Sequence, residues 1–532
     1  MLIKPDTPWP PPGPDAMRTR WASWSAWWGG DPKTLACDTL PTSPAGYWTR
    51  RAVADEAERS LHLPLAGDIA RTSAELVFGD TPAMQWTDDM PATDTSDPGT
   101  APADPVGDEW ERISQEMGWS NSLLEAGEVA AALGGVYLRP QWDSALTDRP
   151  LLTIVRPDEA LPTFRYGILT AVTFVTELGS VNGFVLRWLE HHEPGQIRHE
   201  LWRGTNANIG IQTPLAEHQA TAPLAALLDE RGVIDTTGIR PDGGLLVEYV
   251  PNDLPQPLDR LPYGRSDLQG QESLLDSLDE VYASLMRDVE LAAARAIVPA
   301  EFLDGVLPEQ PGRRRLFGSR QPRTPARRFD PTRRYFTALP GMAPDSDGKQ
   351  TGITTVQPEI RVTEHVEAAL HLVEQIVSRA GYAPQTMGMH VEGQLSGTAM
   401  RRREQRSYRT RDRKRRYFRP ALERLAETLM LINAVVFDGP VPVGRPALEW
   451  RAVEQADPKE AAETVEILRR AQAMSVYQAV KTAHPEWDEP QVEDEVGRVE
   501  AEQAVLAAPE PTGYEPPPGT DPDDEPPVDG EE

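Results

Sequence analysis

Two one-sided amphipathic helices, separated by a long basic insertion, limit the fold of this sequence most. In the first, apolar residues recur at steps of three and four, at Leu274, Leu278, Val281, Leu285, Val289, Ala292 and Ala296. Ser266 and Gln269 have the spacing of a capping box, and Pro299 ends the run. The pattern therefore predicts one helix over 266–299, about 50 Å long at the usual rise per residue.

The second helix is predicted over 362–381 and ends at Gly381. Its apolar residues lie on one side, at Val366, Leu370, Val373, Ile376, Val377 and Ala380. The insertion, 300–361, reads as irregular and has nine arginines between Arg313 and Arg334. Because each helix offers one apolar stripe, many copies standing side by side can bury these stripes in a ring wall.

The chain after the second helix continues with a loop at 382–397, which is unusually long for a connection between helices. A long charged helix is predicted over 398–437, and shorter helices over 458–484 and 489–506. From Pro509 to Glu532 the sequence has eight prolines, nine acidic residues and no basic residue. That composition predicts a disordered acidic tail, which we assign to 507–532.

The N-terminal half predicts a mixed α and β domain. Trp21, Trp24, Trp27, Trp28 and Trp48 lie in a proline-rich segment, 1–50, and the spacing of the first three fits one helical face, a hydrophobic anchor. Helix is predicted at 52–80, with a connecting turn, and across 108–134. Strands are predicted at 136–142, 150–156 and 169–178, and a β-hairpin from 184–192 and 197–204.

Charge and cysteine content exclude several classes of protein. The net charge is −30, from 53 basic and 83 acidic side chains. Simple wrapping of nucleic acid needs a basic excess, because its affinity comes from displaced counterions. Cys37 is the only cysteine, which excludes an internal disulfide and a thiolate zinc site and fits a reducing cytoplasm. No apolar run reaches about 18 residues, so no transmembrane helix is predicted.

The sequence does not indicate catalysis, a metal or a cofactor. His191, His192 and His199 form the only dense histidine group, and their place on the predicted hairpin favours surface or cross-strand packing over a metal site. Asp345 and Asp347 read as solvated turn residues. The glycines near Lys349 lack phosphate-loop spacing, and no nucleophile elbow, zinc motif or dinucleotide turn is present.

An arginine-rich stretch opens the long helix. Eleven of the nineteen residues at 401–419 are basic: Arg401, Arg402, Arg403, Arg406, Arg409, Arg411, Arg413, Lys414, Arg415, Arg416 and Arg419. Three interpretations remain open, namely contact with DNA phosphates, pairing with an acidic surface of a neighbouring subunit, and a solvated face. Tyr408, Tyr417 and Phe418 indicate a partly packed helix and favour the subunit interface.

Several separated stretches resemble the portal proteins of tailed bacteriophages, especially those of actinobacterial siphophages. They are LPLAGDIARTSAELVFGD (63–80), EVAAALGGVYLRPQWD (128–143), YVPNDLP with the segment from Gly264 to Pro299, LSGTAMRRREQRSYRTRDRKRRYFRPALERL (395–425), and AETVEILRRAQAMS with HPEWDEPQVEDEV. They cover about 52–505 and occur in the family's order. The resemblance implies an α+β, predominantly helical portal fold with wing, stem, clip and crown regions that assembles as a ring.

The resemblance also implies a division of the chain. After the Trp- and Pro-rich segment 1–50, the expected regions are a mixed α/β wing (51–265), a first stem helix (266–299), a clip (300–361), a second stem helix (362–381), a channel loop (382–397), a long wing helix with a following strand (398–454), crown helices (455–506) and the acidic tail (507–532).

The implied function is that of a structural, non-enzymatic channel for packaging and ejecting double-stranded DNA at one capsid vertex. The expected partners are copies of the chain in a ring of twelve, the DNA, the terminase large subunit, the head–tail adaptor, and the major capsid and scaffolding proteins, with no membrane. The protein is expected in the host cytoplasm during assembly and then in the virion.

Two sets of site residues follow from the resemblance. The channel loop places Met387, Met389, His390, Glu392 and Gln394 near the constriction. The clip offers terminase or adaptor docking residues at Arg313, Arg314, Arg315, Arg327, Arg328, Arg333 and Arg334. The loop has no Lys or Arg, which suits a surface that lets phosphates slide past.

Two other functions remain as alternatives. One is a different phage structural protein, such as a minor capsid protein or a head–tail adaptor. The other is a nucleic-acid-processing enzyme whose basic helix binds substrate, for which we expect a steep salt dependence of binding.

Overall fold

The structure is a computed structural model. It describes residues 3–13, 15–37, 46–54, 61–86, 104–181, 183–229, 232–292, 295–299, 337–339, 354–356, 360–389, 397–450, 458–471, 473–484, 487 and 489–506.

Helices within these residues are α1 (Asp15–Gly29), α2 (Pro32–Leu35), α3 (Tyr47–Ala54), α4 (Leu65–Phe78), α5 (Pro105–Met117), α6 (Trp119–Leu133), α7 (Glu272–Leu291), α8 (Val362–Ala380), α9 (Gly397–Val436), α10 (Pro458–Arg470), α11 (Val476–Ala483) and α12 (Glu489–Leu506). Strands are β1 (Ala83–Gln85), β2 (Gly135–Gln141), β3 (Leu151–Val155), β4 (Ala160–Arg165), β5 (Ile168–Val181), β6 (Phe184–Glu193), β7 (Gln196–Thr205), β8 (Asn208–Thr213), β9 (Ile234–Asp235), β10 (Glu248–Pro251), β11 (Arg295–Pro299), β12 (Thr337–Leu339), β13 (Thr354–Val356) and β14 (Ala447–Glu449). The α+β class predicted from the sequence is confirmed.

The chain forms two compact units, Met1–Arg451 and Ala452–Glu532. The second contains α10, α11 and α12, and α11 packs on α12. A single first helix was predicted over 458–484, but the chain interrupts it. Ser475 accepts a hydrogen bond from the backbone N–H of Gln478 and so caps the new helix α11. The acidic tail lies outside the described residues.

The tryptophan segment packs into the main core of the first unit, as the spacing predicts. Trp21, Trp24 and Trp27 are buried on one face of α1. Two indole N–H groups hold α1 in place. That of Trp21 donates to the carbonyl of Leu133 at 3.1 Å, and that of Trp24 donates to Glu272 at 3.0 Å. The segment is therefore part of this chain's own fold.

The predicted helix at 108–134 is in fact two helices. Gly118 adopts a left-handed conformation with φ of 69° and ends α5, and α6 begins at the next residue. The break is at glycine because other residues rarely adopt positive φ. α6 then packs on α4, and its second half, buried from Ala126 to Leu133 except at Glu128, forms the middle of the core.

A six-stranded antiparallel sheet holds the predicted hairpin. Strands β4 to β8 follow one another in order, and β9 also pairs with β7. β6 and β7 pair from Val185 opposite Gly204 to Glu193 opposite Gln196, so the predicted hairpin is confirmed. A separate three-stranded sheet, in the order β10-β2-β3, lies against α6.

The predicted helix at 266–299 is shorter than expected at both ends. Ser266 does not cap it; its hydroxyl donates to the carbonyl of Ala132 at 2.6 Å and satisfies the end of α6 instead. Helix α7 starts at Glu272 and ends at Leu291. Residues 295–299, with the β-branched Ile297 and Val298, form strand β11.

The insertion is not wholly irregular. Strand β11 pairs in parallel with β12 and antiparallel with β13. This three-stranded sheet takes one strand from before the arginine-rich segment 313–334 and two from after it. β12 and β13 fall within 300–361, where no strand was predicted. Such short pairings lack a long alternating pattern, so the sequence gives little signal for them.

Candidate subunit interface and basic helix

Helices α7 and α8 pack against each other as the predicted helix pair. Near the insertion the pair is fastened by one carboxylate: Asp288 on α7 lies 3.0 Å from the Arg361 guanidinium and 3.1 Å from the His365 ring. The hydrogen bonds from His365 and Arg361 lower the pKa of Asp288. Residues from both sides of the insertion therefore meet at the base of the pair.

Burial along the helix pair falls from one end to the other. Leu275 and Leu278 on α7 and Ile376 and Val377 on α8 are fully enclosed in the main core. At the opposite end five large apolar side chains are between 42% and 50% exposed, namely Met286, Val289, Val362, Val366 and Leu370. One half of the pair is thus anchored, and the other half presents apolar surface with no cover from the described part of the chain.

The second helix ends as predicted, at Gly381 with φ of 98°. The chain then makes a short 3₁₀ turn at Pro384–Met387. Of the predicted channel-loop residues, Met387 packs against the main core and Met389 is half-buried. His390, Glu392 and Gln394 lie outside the described residues.

Among the basic residues of α9 whose side chains the structure describes, Lys414 is the most deeply buried. Its side chain is 2% exposed, and its ammonium group donates to Asp267 at 2.5 Å, to Ser73 at 2.6 Å and to the Tyr382 hydroxyl at 2.9 Å. Burial lowers the pKa of Lys414, against the opposing attraction of Asp267. Lys414 therefore joins α9 to α4, to the loop before α7 and to the turn after α8 within one chain, a role that none of the three sequence interpretations included.

Two arginines of the same helix also bind within the chain. Arg415 donates from Nε and a terminal nitrogen to the carbonyl of Val77, and its guanidinium lies 4.3 Å from the ring centre of Trp450. Burial lowers the pKa of Arg415 to about 10. Arg419 donates to the carbonyl of Leu448 at 2.7 Å. These groups fix α9 to the end of α4 and to β14.

Among the other basic residues of α9 whose side chains the structure describes, Arg406, Arg409, Arg413 and Arg416 are exposed, whereas Arg411 and Arg424 are partly buried. Arg411 pairs with Asp412 at 2.9 Å, and Arg416 reaches only a backbone carbonyl of its own helix. Arg406 and Arg409 are exposed and form no ion pair with any residue that the structure describes. Arg401, Arg402 and Arg403 lie on α9, but their side chains are outside the described set, as are all seven predicted clip arginines.

The histidine group is buried in the sheet, as cross-strand packing predicts. On one face His192 lies 2.5 Å from Glu190, and the indole N–H of Trp188 donates to His199 at 3.2 Å. Burial lowers the pKa of His199 to about 4. Burial alone would raise the pKa of Glu190, but the hydrogen bond from His192 and the attraction of His192, Arg139 and His199 together outweigh it and bring the pKa to about 2.

The opposite face of the sheet carries a second network. His191 lies 3.2 Å from Glu200 and 2.8 Å from the Thr173 hydroxyl, and the Trp202 indole donates to the same carboxylate at 2.9 Å. Within the described residues no three His, Cys, Asp or Glu side chains are placed to hold a metal ion.

Sequence reasoning missed the role of Lys414, although a signal for it exists. Buried positions of α9 recur at steps of three and four, and Lys414 falls in this register with Ser407, Thr410, Phe418, Ala421, Leu425 and Leu429. A single lysine on the buried side of an arginine-rich helix predicts an internal partner. That partner is Asp267, which lies in the loop before α7, at a position where the sequence pattern predicts the start of the helix.

Comparison with known families places the helix pair in context. Residues 247–440 match the family described as phage portal protein, SPP1 Gp6-like. No curated protein matches the chain. Among the described residues, no helix combines the length and apolar character needed to cross a membrane. The matched range runs from β10 through α7, the insertion and α8 to the end of α9. The predicted resemblance to phage portal proteins is thus confirmed for this part of the chain, which is similar to the SPP1 Gp6-like portal family.

Proposed function

We propose that copies of this chain assemble side by side into the portal ring of a tailed bacteriophage, a channel for double-stranded DNA at one capsid vertex. The observation that carries the proposal is the apolar surface of α7 and α8 far from the core. The portal family match over 247–440 supports the same function, since it spans both helices, the insertion and the long helix.

The exposed side chains have a physical reason to associate. Covering half of a Val, Leu or Met side chain contributes on the order of 1 kcal/mol. Five such residues on each copy, Met286, Val289, Val362, Val366 and Leu370, offer several such contributions per contact. A contact between unlike faces of adjacent copies closes into a ring when the rotation fits.

The channel loop 382–397 and the clip 300–361 complete the proposal. The loop follows directly on the anchored end of α8, and its sequence has no Lys or Arg, which fits a surface that DNA passes without sticking. The clip arginines belong in sequence to the insertion that connects α7 to α8, and we propose that they dock terminase and later the head–tail adaptor.

The basic helix is now proposed to contribute its surface arginines only. Arg406 and Arg409 remain available for an acidic neighbour or for DNA, because no described carboxylate pairs with them. The buried cation Lys414 instead supports the wing from inside.

Assembly of the purified full chain, followed by sedimentation velocity, tests this proposal. Wild-type protein is expected to form a closed multi-copy species. Val366→Asp with Leu370→Asp should leave a folded single chain, because two charges would replace the apolar contact. Val441→Asp with Val443→Asp changes two more exposed valines outside the helix pair and should still assemble. Assembly of the first double variant at wild-type concentration would contradict the proposed contact.

A further inference from the structure

A cleft of about 440 Å³ lies in the first unit, between the loop before α7, the end of α8 and the first half of α9. Five arginines line it: Arg265, Arg379, Arg406, Arg409 and Arg413. Two carboxylates, Asp253 and Asp267, also line it. In a chain of net charge −30, this concentration of positive charge on one concave surface calls for an explanation.

Both carboxylates already have cationic partners. Asp267 accepts from the buried ammonium of Lys414 at 2.5 Å. Asp253 lies 3.4 Å from Nε of Arg413 and 4.0 Å from a terminal nitrogen of Arg265. The positive charge of the cleft therefore exceeds its negative charge.

Three arginines are left over. Arg379 at the end of α8, together with Arg406 and Arg409 on α9, is exposed to solvent in the cleft and forms no ion pair within the described part of the chain. Guanidinium groups converging from two helices repel one another unless an anion lies between them. The cleft is thus built to receive negative charge.

We propose that this cleft binds a phosphate-type oxyanion. A guanidinium offers a planar fork of donors that matches phosphate oxygens, and a tetrahedral phosphate can receive several such forks at once, whereas one carboxylate has only two oxygens. The lining is mostly polar; Leu254 and Ala380 are its main apolar members, so an apolar ligand has little surface to cover.

Two sources can present this oxyanion: free inorganic phosphate and the phosphodiester backbone of a nucleic acid. The cleft is open to solvent and the whole chain is acidic, so binding should be modest and sensitive to salt. We expect a dissociation constant for inorganic phosphate on the order of 1 mM at low ionic strength.

Titration calorimetry of the full-length chain tests the proposal, with sodium phosphate compared with sodium chloride at equal ionic strength. A short single-stranded oligonucleotide and a polyglutamate peptide are titrated in parallel. Arg406→Ala with Arg409→Ala removes two of the unpaired arginines. The matched control, Arg71→Ala with Arg287→Ala, removes two exposed arginines from α4 and α7 outside the cleft. Thermal unfolding without ligand verifies that each variant is folded.

The proposal holds if phosphate or the oligonucleotide binds wild-type protein and the cleft variant loses at least tenfold in affinity while the control does not. Binding of free phosphate identifies that source, and binding of the oligonucleotide alone identifies the phosphodiester. The proposal is overturned if wild-type protein binds neither, if the cleft variant binds as well as wild type, or if only polyglutamate binds.

Discussion

Lys414 and Asp267 form a buried ion pair that joins the long basic helix to the loop before α7, with 2.5 Å between ammonium nitrogen and carboxylate oxygen. Asp267 also accepts from the Tyr382 hydroxyl at 2.8 Å and from the Asn252 amide at 2.8 Å. One carboxylate thus connects α9, the turn after α8 and the residue that follows β10.

Replacing Lys414 with Met should destabilise the fold by about 3 kcal/mol, because it leaves the carboxylate of Asp267 buried without its cation. Urea unfolding measures the loss. Adding Asp267→Asn should recover part of it, since an amide costs less to bury than a charge. Arg416→Met, at an exposed site on the same helix, is the control and should change stability by less than about 0.5 kcal/mol. Equal stability of Lys414→Met and wild type would contradict the internal role.

The stability of the sheet should fall as the pH is lowered from 6.5 toward 4 because of His199. Burial holds its folded pKa at about 4, so in this range the unfolded chain takes up a proton that the folded chain refuses. The expected loss between pH 7.5 and pH 5 is about 2 kcal/mol, and His199→Gln should lack that part of the loss. If the free energy of unfolding of wild type and variant depended on pH in the same way, the imidazole of His199 would not be held neutral in the folded chain.

Gly134→Ala should be much more damaging than Gly118→Ala. Both glycines end helices with positive φ, 88° and 69°. A Cβ at Gly134 would lie 2.5 Å from the carbonyl oxygen of Gly264, whereas a Cβ at Gly118 has its nearest neighbour at 4.0 Å. We expect about 1 kcal/mol of destabilisation at Gly118 from the backbone conformation alone. At Gly134 the loss should exceed this by at least about 2 kcal/mol. Similar thermal midpoints for the two variants would contradict the close approach.

Asp279→Ala should release the segment before α4 from α7. The carboxylate accepts from the Trp48 indole at 2.9 Å and from the backbone N–H of Leu63 at 2.9 Å, and it lies 2.8 Å from the His62 ring. Removing it leaves several buried donors without an acceptor, which costs about 1–3 kcal/mol each. Limited proteolysis should then cut between α3 and α4 several times faster, whereas Glu290→Ala, at an exposed position of α7, should change the rate little. Unchanged cleavage of the Asp279 variant would argue against this attachment.

Periodic patterns correctly predicted those elements whose local residue spacing matches which of their side chains are buried in the fold. The hairpin of β6 and β7, the end of α8 at Gly381 and the extent of α9 each follow from local residue spacing. The failures have tertiary causes. Ser266 has the pattern of a helix cap, but the free carbonyls at the end of α6 compete for its hydroxyl.

The candidate site was predictable only in part, for the same reason. The apolar stripes of α7 and α8 could be predicted from the sequence. The decrease in side-chain burial from one end of the pair to the other could not, because it depends on where the core ends. The basic run was visible too, but Lys414 and Arg415 differ from Arg406 and Arg409 only in what packs against each turn of α9. A charge count cannot separate buried cations from surface cations.

The most direct test of the central claim is negative-stain electron microscopy of the purified full-length protein at assembly concentration. The exposed apolar halves of α7 and α8 predict ring-shaped particles with a central hole, and their loss in the Val366→Asp, Leu370→Asp variant. Images that show only compact single-chain particles for wild-type protein, under all assembly conditions and in material recovered from phage heads, would contradict the account.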